Sequence, residues 1–545
     1  MADNNLEKVI KSDGLGYYSY LPAVFIFGDY TYSFTEEVTE KYPKTDFGDG
    51  FLKASEGGKV NKYYVGLAIL WVPFFLLAHV LALIFGWSAD GYSVVYHISV
   101  MAAANFYLWL GCRYTRKLLL QYAVPEYVAA LVLVAVVFGT NLFFYATFDA
   151  SHSHVYSFAM IAGFLYFCEA FFRRNALPDI YRAAILLGLI TLLRPTNAVI
   201  ALMALFFAGS MGAFWRQIAE HRIRILAAAG IFVLTLFPQF LLYYLQSGAF
   251  IVWSYGDEKF YFGNPHLTEI LFSYRKGHFV YTPMVLLSVF GFIYLFKTDK
   301  FRFFILLLTV SAATYIIASW WCWWYGASLG QRAFVDYYAL LALLLAFAFF
   351  LLRTTPLKIA FFAAAGVFTF YSLTLSYQYR NRIIDTVHMN KQKFWFTFLK
   401  TDRDITGLAF FDPLFEGIET ADIVNIAASD GMFLCADGDG EKHILANKES
   451  ASLWETFNRV TLNEETVALK SYTGYFVTAD PAQGHVLRYT AVEAGEREFF
   501  ELHAAEDDSF YIKAFNGKYL VRKGEFLKAT GEHASEAERF RLIEK

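Results

Sequence analysis

Eight stretches of 17–25 residues in this 545-residue chain are almost wholly apolar: 92–112, 124–148, 154–172, 223–246, 279–296, 302–319, 336–352 and 357–378. About 20 such residues in a helix cross a hydrocarbon layer of roughly 30 Å, and only a helix satisfies its own backbone polar groups there. A ninth stretch, 182–210, is cut by "LLRPTN" at Arg194 and Pro195. Proline removes a backbone donor and disfavours helix in the residue before it, so two short helices meeting at the arginine are expected. With 63–86, "YYVGLAILWVPFFLLAHVLALIFG", the pattern predicts a polytopic α-helical membrane protein of about ten transmembrane helices. Composition agrees: 57% of residues are hydrophobic and 17% charged, against 45–50% and about 25% in soluble chains. The net charge of −3 excludes nucleic-acid binding by bulk electrostatics. Four cysteines without a CxxC pair exclude a disulfide framework and give no zinc or redox motif.

The charge is unevenly divided. From residue 420 onward there are 22 Asp and Glu against 14 Lys and Arg; the preceding part has 27 against 32. This acidic end repeats internally. "DGMFL" at Gly431, "TGYFV" at Gly474 and "NGKYL" at Gly517 are spaced 43 and 43 residues apart. Each follows a strand-like run ("IVNIAA", "TVALKS", "FYIKAF") and precedes an acidic-aromatic close at Phe457, Phe500 and Phe540. Three all-β repeats predict a pseudo-threefold β-trefoil over 422–545, and this part resembles the fascin-like trefoil family. It lacks the QxW triplet of lectin-type trefoils, which favours a binding or packing role over a sugar site. The expected organisation is an N-terminal outer loop with juxtamembrane helices (1–91), a transmembrane body (92–380), a linker (381–421) and the trefoil (422–545).

Lys and Arg cluster at 113–117, 173–174, 214–224, 297–302 and 353–358. With those inside, the loops 149–153, 247–278 and 320–335 fall outside together with the trefoil. Hydropathy alone makes 63–86 a span; divided at Pro73 into two helices in the outer interface, it leaves the N-terminal segment outside as well. The outer loops are rich in chemistry: Asp13 and Asp29 among tyrosines, then Asp149, His152 and His154, then Arg275, Lys276 and His278. Carboxylates, imidazoles and cations at one membrane face suit an anionic lipid-linked substrate. A carboxylate takes a proton from an acceptor hydroxyl, and Arg and Lys hold a departing phosphate.

Over 13–380 the chain resembles GT-C superfamily glycosyltransferases of the bacterial mannosyltransferase-like branch. The resemblance rests on "DGLGYYSYLP", "NKYYVGLAILWVPFFLLAHVLALIFG", "SHSHVYSF", "LLGLITLLRPTN" and "SYRKGHFVYTP", in that order. It implies transfer of a sugar from a polyprenyl-phosphate donor on the outer face, and an interfacial placement of 63–86. It implies Asp13 as the base and Lys62 as a basic residue before the juxtamembrane run. It places His152 and His154 in the second outer loop, and Arg275 and Lys276 in a late loop closing on the donor phosphate. One carboxylate suffices, because a phosphate leaving group needs no proton. The family carries an apolar helix ahead of its Asp-Gly motif, where this sequence has "MADNNLEKVIKS". The implied setting is a bacterial inner membrane with the active face and trefoil extracytoplasmic. An envelope glycan or protein would be the acceptor, and a divalent metal is not indicated.

Plainer readings stand beside these. Asp13 is well placed to cap a helix starting near Leu15. His152 and His154, two apart, point away from each other on a helix, against a shared metal. Arg194 in an apolar stretch is either functional or paired at the helix break. Arg275 and Lys276 are equally consistent with an amphipathic helix end. Gln331 and Arg332, after "WWCWWYGASLG", are candidates for a sugar pocket, while the tryptophans alone read as an interface belt. "DGDGE" at 437–441 suits a trefoil turn better than a calcium loop, and the glycines of "GLGYY" are not a phosphate cradle. The competing functions are a transporter or flippase for a lipid-linked or free sugar, which would show two related halves, and a non-catalytic anchor presenting the trefoil.

Overall fold

A computed structural model describes residues 9–42, 45, 47, 51–55, 58–402, 423–436, 442–451, 454–461, 466–472, 474–491, 494–505 and 507–544. The chain forms two compact units, Met1–Ser376 and Tyr377–Lys545. The "DGDGE" stretch and residues 403–421 of the expected linker lie outside the described residues.

The first unit opens with α1 (Asp13–Tyr18), α2 (Tyr20–Pro22) and α3 (Thr35–Lys41), followed by a hairpin of β1 (Leu52–Ser55) and β2 (Gly58–Asn61). Then come α4 (Gly66–Phe85), α5 (Val94–Gln121), α6 (Glu126–Phe138), α7 (Leu142–Thr147), α8 (His154–Arg174), α9 (Asp179–Leu193), α10 (Met203–Ala208), α11 (Met211–Glu220) and α12 (Arg222–Ser247). After a long loop follow α13 (Leu267–Phe272), α14 (His278–Tyr281), α15 (Ser288–Thr298), α16 (Lys300–Ser319), α17 (Tyr338–Leu351) and α18 (Thr355–Arg380). Left-handed residues end several helices, Gly86 after α4, Asn175 after α8 and Gly248 after α12, where a small or amide side chain tolerates the turn. α8 and the segment Arg332–Leu351 are 89% buried and form the centre, whereas α12 is 17% buried and α16 28%. An apolar helix left that open in the fold is suited to a lipid surround.

Seven helices are long and apolar enough to cross a membrane, eight if the pair 195–208 and 211–220, bent by 98°, makes one span. The expected ten are therefore not seen among the described residues. One cause is that 124–148 divides at Gly139–Asn141. There the Asn141 amide reaches the Leu329 carbonyl and its oxygen accepts from the Tyr338 hydroxyl. Another is Pro283, which starts 279–296 with a 3₁₀ turn at Pro283–Leu287. The break at Arg194 is as expected: α9 ends at Leu193, Arg194 is extended, and a 3₁₀ segment runs from Pro195 to Leu202. The expected division of 63–86 is not seen. Pro73 lies inside a continuous α4 of 20 residues that meets the length and hydropathy of a span.

In the second unit, α19 (Lys391–Thr397) precedes twelve strands: β3 (Ile423–Ala428), β4 (Phe433–Cys435), β5 (Leu445–Lys448), β6 (Thr456–Thr461), β7 (Thr466–Ser471), β8 (Phe476–Asp480), β9 (Val486–Ala491), β10 (Phe499–Ala504), β11 (Phe510–Ala514), β12 (Tyr519–Lys523), β13 (Phe526–Gly531) and β14 (Phe540–Glu544). β6 pairs with β3 and β7, β10 with β7 and β11, and β14 with β11 and β3. That cycle closes a six-stranded barrel, and the hairpins β4–β5, β8–β9 and β12–β13 cap it. The three repeat starts are β3, β7 and β11. Phe457, Phe500 and Phe540 are buried in one core with Ile426, Leu469 and Ile512, so the sequence repeat is a repeat of core positions.

Candidate functional site

The chemistry-bearing residues gather where the ends of the central helices meet the loops. His154 begins α8, Arg194 follows α9, Trp320 follows α16, and Arg332 begins the 3₁₀ turn Arg332–Tyr337 leading into α17. With Asp13 of α1, Lys62 after β2 and Glu258 of the 248–266 loop they line a cavity of about 220 Å3. The loops 149–153, 247–278 and 320–335 all contribute to one wall. Arg173 and Arg174, at the other end of α8, pair with Glu169. A 21-residue helix puts them roughly 30 Å from His154.

Asp13 and Arg332, 319 positions apart, form an ion pair of 2.7 Å. The other Asp13 oxygen accepts from the Tyr63 hydroxyl at 2.8 Å. Burial would raise the Asp13 carboxyl, but Arg332, His152, the Tyr63 hydrogen bond and Lys62 together outweigh it and hold it well below the ordinary carboxylate range. Burial and the Asp13 charge push Tyr63 well up, and Tyr17 to about 12, so both phenols keep their protons. The Arg332 Nε is buried and lacks a hydrogen-bond partner among the described residues.

Close approach at this point depends on two glycines. A Cβ on Gly14 would lie 2.2 Å from the Ser151 Oγ and 2.8 Å from its carbonyl; one on Gly16 would lie 2.3 Å from the Tyr63 ring. The "DGLG" glycines therefore let α1 lie against the 149–153 loop and Tyr63, bringing Asp13 to the cavity. We expect Gly14→Ala to cost about 1–3 kcal/mol through overpacking and to lower activity. Thermal unfolding and initial rates check this; an unchanged variant would show that the contact does not position Asp13.

Behind the wall, Asp336 is fully buried. It accepts from His154 Nδ1 at 2.8 Å and the Asn197 amide at 2.7 Å, with Arg194 at 3.6 Å. Tyr337 in turn donates to Asn197. Arg194 is thus both paired at the helix break and exposed to the cavity, joining the two readings its sequence position allowed. His152 lies 3.9 Å from Asp149, which also faces Lys11 at 2.9 Å. Burial, against the pull of Asp149, lowers the His152 imidazole. Across the cavity Lys62 pairs with Glu258, which accepts from Trp321 Nε1 at 3.1 Å. Lys62 also lies over the Tyr255 ring at 5.3 Å.

Of the expected residues, Asp13, Lys62, His152, His154 and Arg332 converge on the cavity; Arg275 and Lys276 do not line it. Arg275 stacks 4.0 Å over Trp324, and the buried Lys276 donates to the Ser328 carbonyl. Gln331 is buried and donates to the Trp323 carbonyl at 2.6 Å. Asp29 spends its carboxylate on Thr31 and Ser33 in a local turn. Sequence reasoning missed Glu258 and Asp336. Asp336 had a signal, an acid at the edge of an apolar span; Glu258, in a charged loop, had none. Among the described residues no three His, Cys, Asp or Glu side chains group to hold a metal.

A second, aromatic cavity of about 110 Å3 shares Arg194, Tyr255, Trp320 and Tyr325 with the first and adds Tyr64, Trp253 and Phe260.

Residues 422–542 match a family described as a domain of unknown function, DUF7910. No curated protein matches the chain. Among solved structures, the chain is similar to a designed 3-fold symmetric protein, ThreeFoil, at 14% identity and a TM-score of 0.21, over 23% of this chain and 99% of that one. It is also similar to the S. cerevisiae protein O-mannosyltransferase Pmt1-Pmt2 complex bound to the sugar donor, at 11% identity and a TM-score of 0.19. That match covers 99% of this chain and 64% of that one, so this chain spans less than two thirds of its length.

Proposed function

We propose that the membrane unit is an integral-membrane glycosyltransferase that moves a sugar from a polyprenyl-phosphate donor to an acceptor hydroxyl, with inversion, on the extracytoplasmic face. The observation that carries this reading is the Asp13–Arg332 pair on the wall of a cavity that Lys62 and Arg194 also line. It joins the carboxylate a hydroxyl nucleophile needs to the cations a phosphate needs. The ordered motifs over 13–380 point the same way, and the 423–544 unit is read as a trefoil of the fascin-like kind.

In this mechanism Asp13 accepts the acceptor's proton as its oxygen bonds to the anomeric carbon. The bond from that carbon to the phosphate oxygen breaks, and the electron pair leaves with polyprenyl phosphate. Arg332 and Arg194, both on the cavity wall, stabilise the charge that collects there. The aromatic cavity beside Arg194 holds the first part of the prenyl chain. Trp320, Trp321 and Tyr325 offer faces to the sugar. The Asp13–Arg332 pair gives the base two states. While Arg332 is on Asp13 the carboxylate is a weak base; when Arg332 turns to the phosphate, its proton affinity rises.

The reading is tested by reconstituting the protein with undecaprenyl-phosphate hexoses and following release of undecaprenyl phosphate by mass spectrometry. Turnover of nucleotide sugars with the lipid-linked sugars inert would refute it.

Arg332→Gln is expected to lower kcat/KM about 10²–10³-fold with a raised donor KM. It should also move the acid limb of the kcat/KM profile, which reports the free enzyme, to higher pH. The sign follows from the causes. In the native site the carboxyl titrates below its ordinary value of about 3.9, so the base stays ionised throughout the neutral range. Without the guanidinium the largest of the lowering influences is gone, so the carboxyl rises from its depressed value. An acid limb that did not move would separate Arg332 from Asp13.

A further inference from the structure

In a threefold fold, residues the architecture requires recur in each repeat, and departures from recurrence are free to serve something else. The barrel register makes the comparison position by position. Each of β3, β7 and β11 pairs one residue with the first residue of the following strand: Ala427 with Phe433, Lys470 with Phe476 and Lys513 with Tyr519. On their other side the same residues face Arg541, Asn458 and Glu501.

Two seams therefore carry a lysine at this position. Lys470 lies 5.2 Å over the Phe476 ring, and Lys513 pairs with Glu501 at 3.5 Å. In the remaining seam the lysine is an alanine and the facing residue an arginine. At this seam opens a cavity of about 410 Å3 lined by Ala427, Phe433, Ser429, Asp507, Arg539 and Arg541 among others. Its volume is within the ordinary ligand range of about 300–1,000 Å3.

Both arginines are exposed, and among the described residues neither is in an ion pair with a carboxylate. Arg539 is oriented by donating from Nε to the Tyr511 hydroxyl at 3.1 Å, and among the described residues its terminal nitrogens have no hydrogen-bond partner. Of the neighbouring carboxylates, Asp430 pairs with Arg522, and Glu538 accepts from Ser429 while keeping its charge. Asp507 remains on the rim. The chain from residue 420 carries 22 acidic against 14 basic residues, whereas the cavity lining itself holds two arginines and one carboxylate, Asp507.

We propose that this seam is a binding site for an anionic glycan, its carboxylate or phosphate groups held by Arg539 and Arg541 and a sugar face resting on Phe433. Guanidinium forks suit either oxyanion, and an aromatic face beside them suits a pyranose ring. The proposal does not depend on the activity assigned to the membrane unit.

The test is calorimetric titration of the full-length chain in nanodiscs with tetragalacturonate, with a mannose-phosphate oligomer and with uncharged mannotetraose. Binding of either anionic probe, weakened by raised salt, is expected; the arm that binds identifies the oxyanion. The double variant Arg539→Gln with Arg541→Gln is expected to weaken it at least about tenfold, as losing hydrogen bonds to charged groups does. Ala427→Lys restores the residue present in the other two seams, a substitution the fold accommodates there, and should weaken binding similarly by filling the cavity. Equal binding of mannotetraose, no binding of either anionic probe, or full binding by both variants would overturn the proposal.

Discussion

Asp13→Asn is expected to lower sugar transfer about 10²–10⁴-fold, the range over which a positioned general base contributes, while leaving the fold and donor binding in place. The amide retains the size of the carboxylate and can still accept from Tyr63, so the packing of α1 against the 149–153 loop is not disturbed. What it lacks is the capacity to take the acceptor's proton. It also no longer holds Arg332 by charge, so the donor KM should stay the same or fall, and the loss should lie in kcat. Steady-state rates with a lipid-linked donor, together with thermal unfolding of the same preparation, separate the cases. Wild-type turnover by a folded Asp13→Asn protein would end the assignment of Asp13 as base. A raised donor KM with unchanged kcat would make it a binding residue instead.

Asp336→Ala is expected to destabilise the membrane unit by about 3–5 kcal/mol, the cost of removing one partner from a buried charged group. Asp336 is fully buried and receives His154, Asn197 and Arg194 together. Its loss strands a guanidinium at the end of α9 and frees the His154 ring at the cavity wall, so activity should fall as well. A cycle with Arg194→Leu isolates the electrostatic part. If the stranded charge is the cause, the double variant is more stable than Asp336→Ala alone. Simple addition of the two losses would show that Asp336 acts through packing and its neutral partners only.

The parts of this protein that were legible in the sequence are those with local periodicity. The apolar runs became helices, the break at Arg194 appeared where Pro195 forbids a continuous helix, and the 43-residue repeat became a closed barrel with recurring core positions. Expectations that rested on the length of one run, or on a single proline and a family resemblance, did less well. The 124–148 run divides because Asn141 makes hydrogen bonds across the unit, and Pro73 does not divide α4. At the site, Asp13, Lys62, His152, His154 and Arg332 were accessible to reasoning because charged and imidazole groups beside apolar runs are conspicuous. Arg275 and Lys276 looked equivalent by the same criterion, yet one stacks on Trp324 and the other reaches Ser328.

The sequence by itself determined which segments are helical, which repeat, and that the polar chemistry is confined to helix ends and loops. These properties depend on neighbours within one turn, one hairpin or one repeat. Only the tertiary structure decided that Asp13 meets Arg332, that Asp336 holds His154 and Arg194 together, and that a cavity opens where Ala427 faces Arg541. Each of those depends on which distant backbones lie close enough for two side chains to touch, and that is set by packing across hundreds of residues.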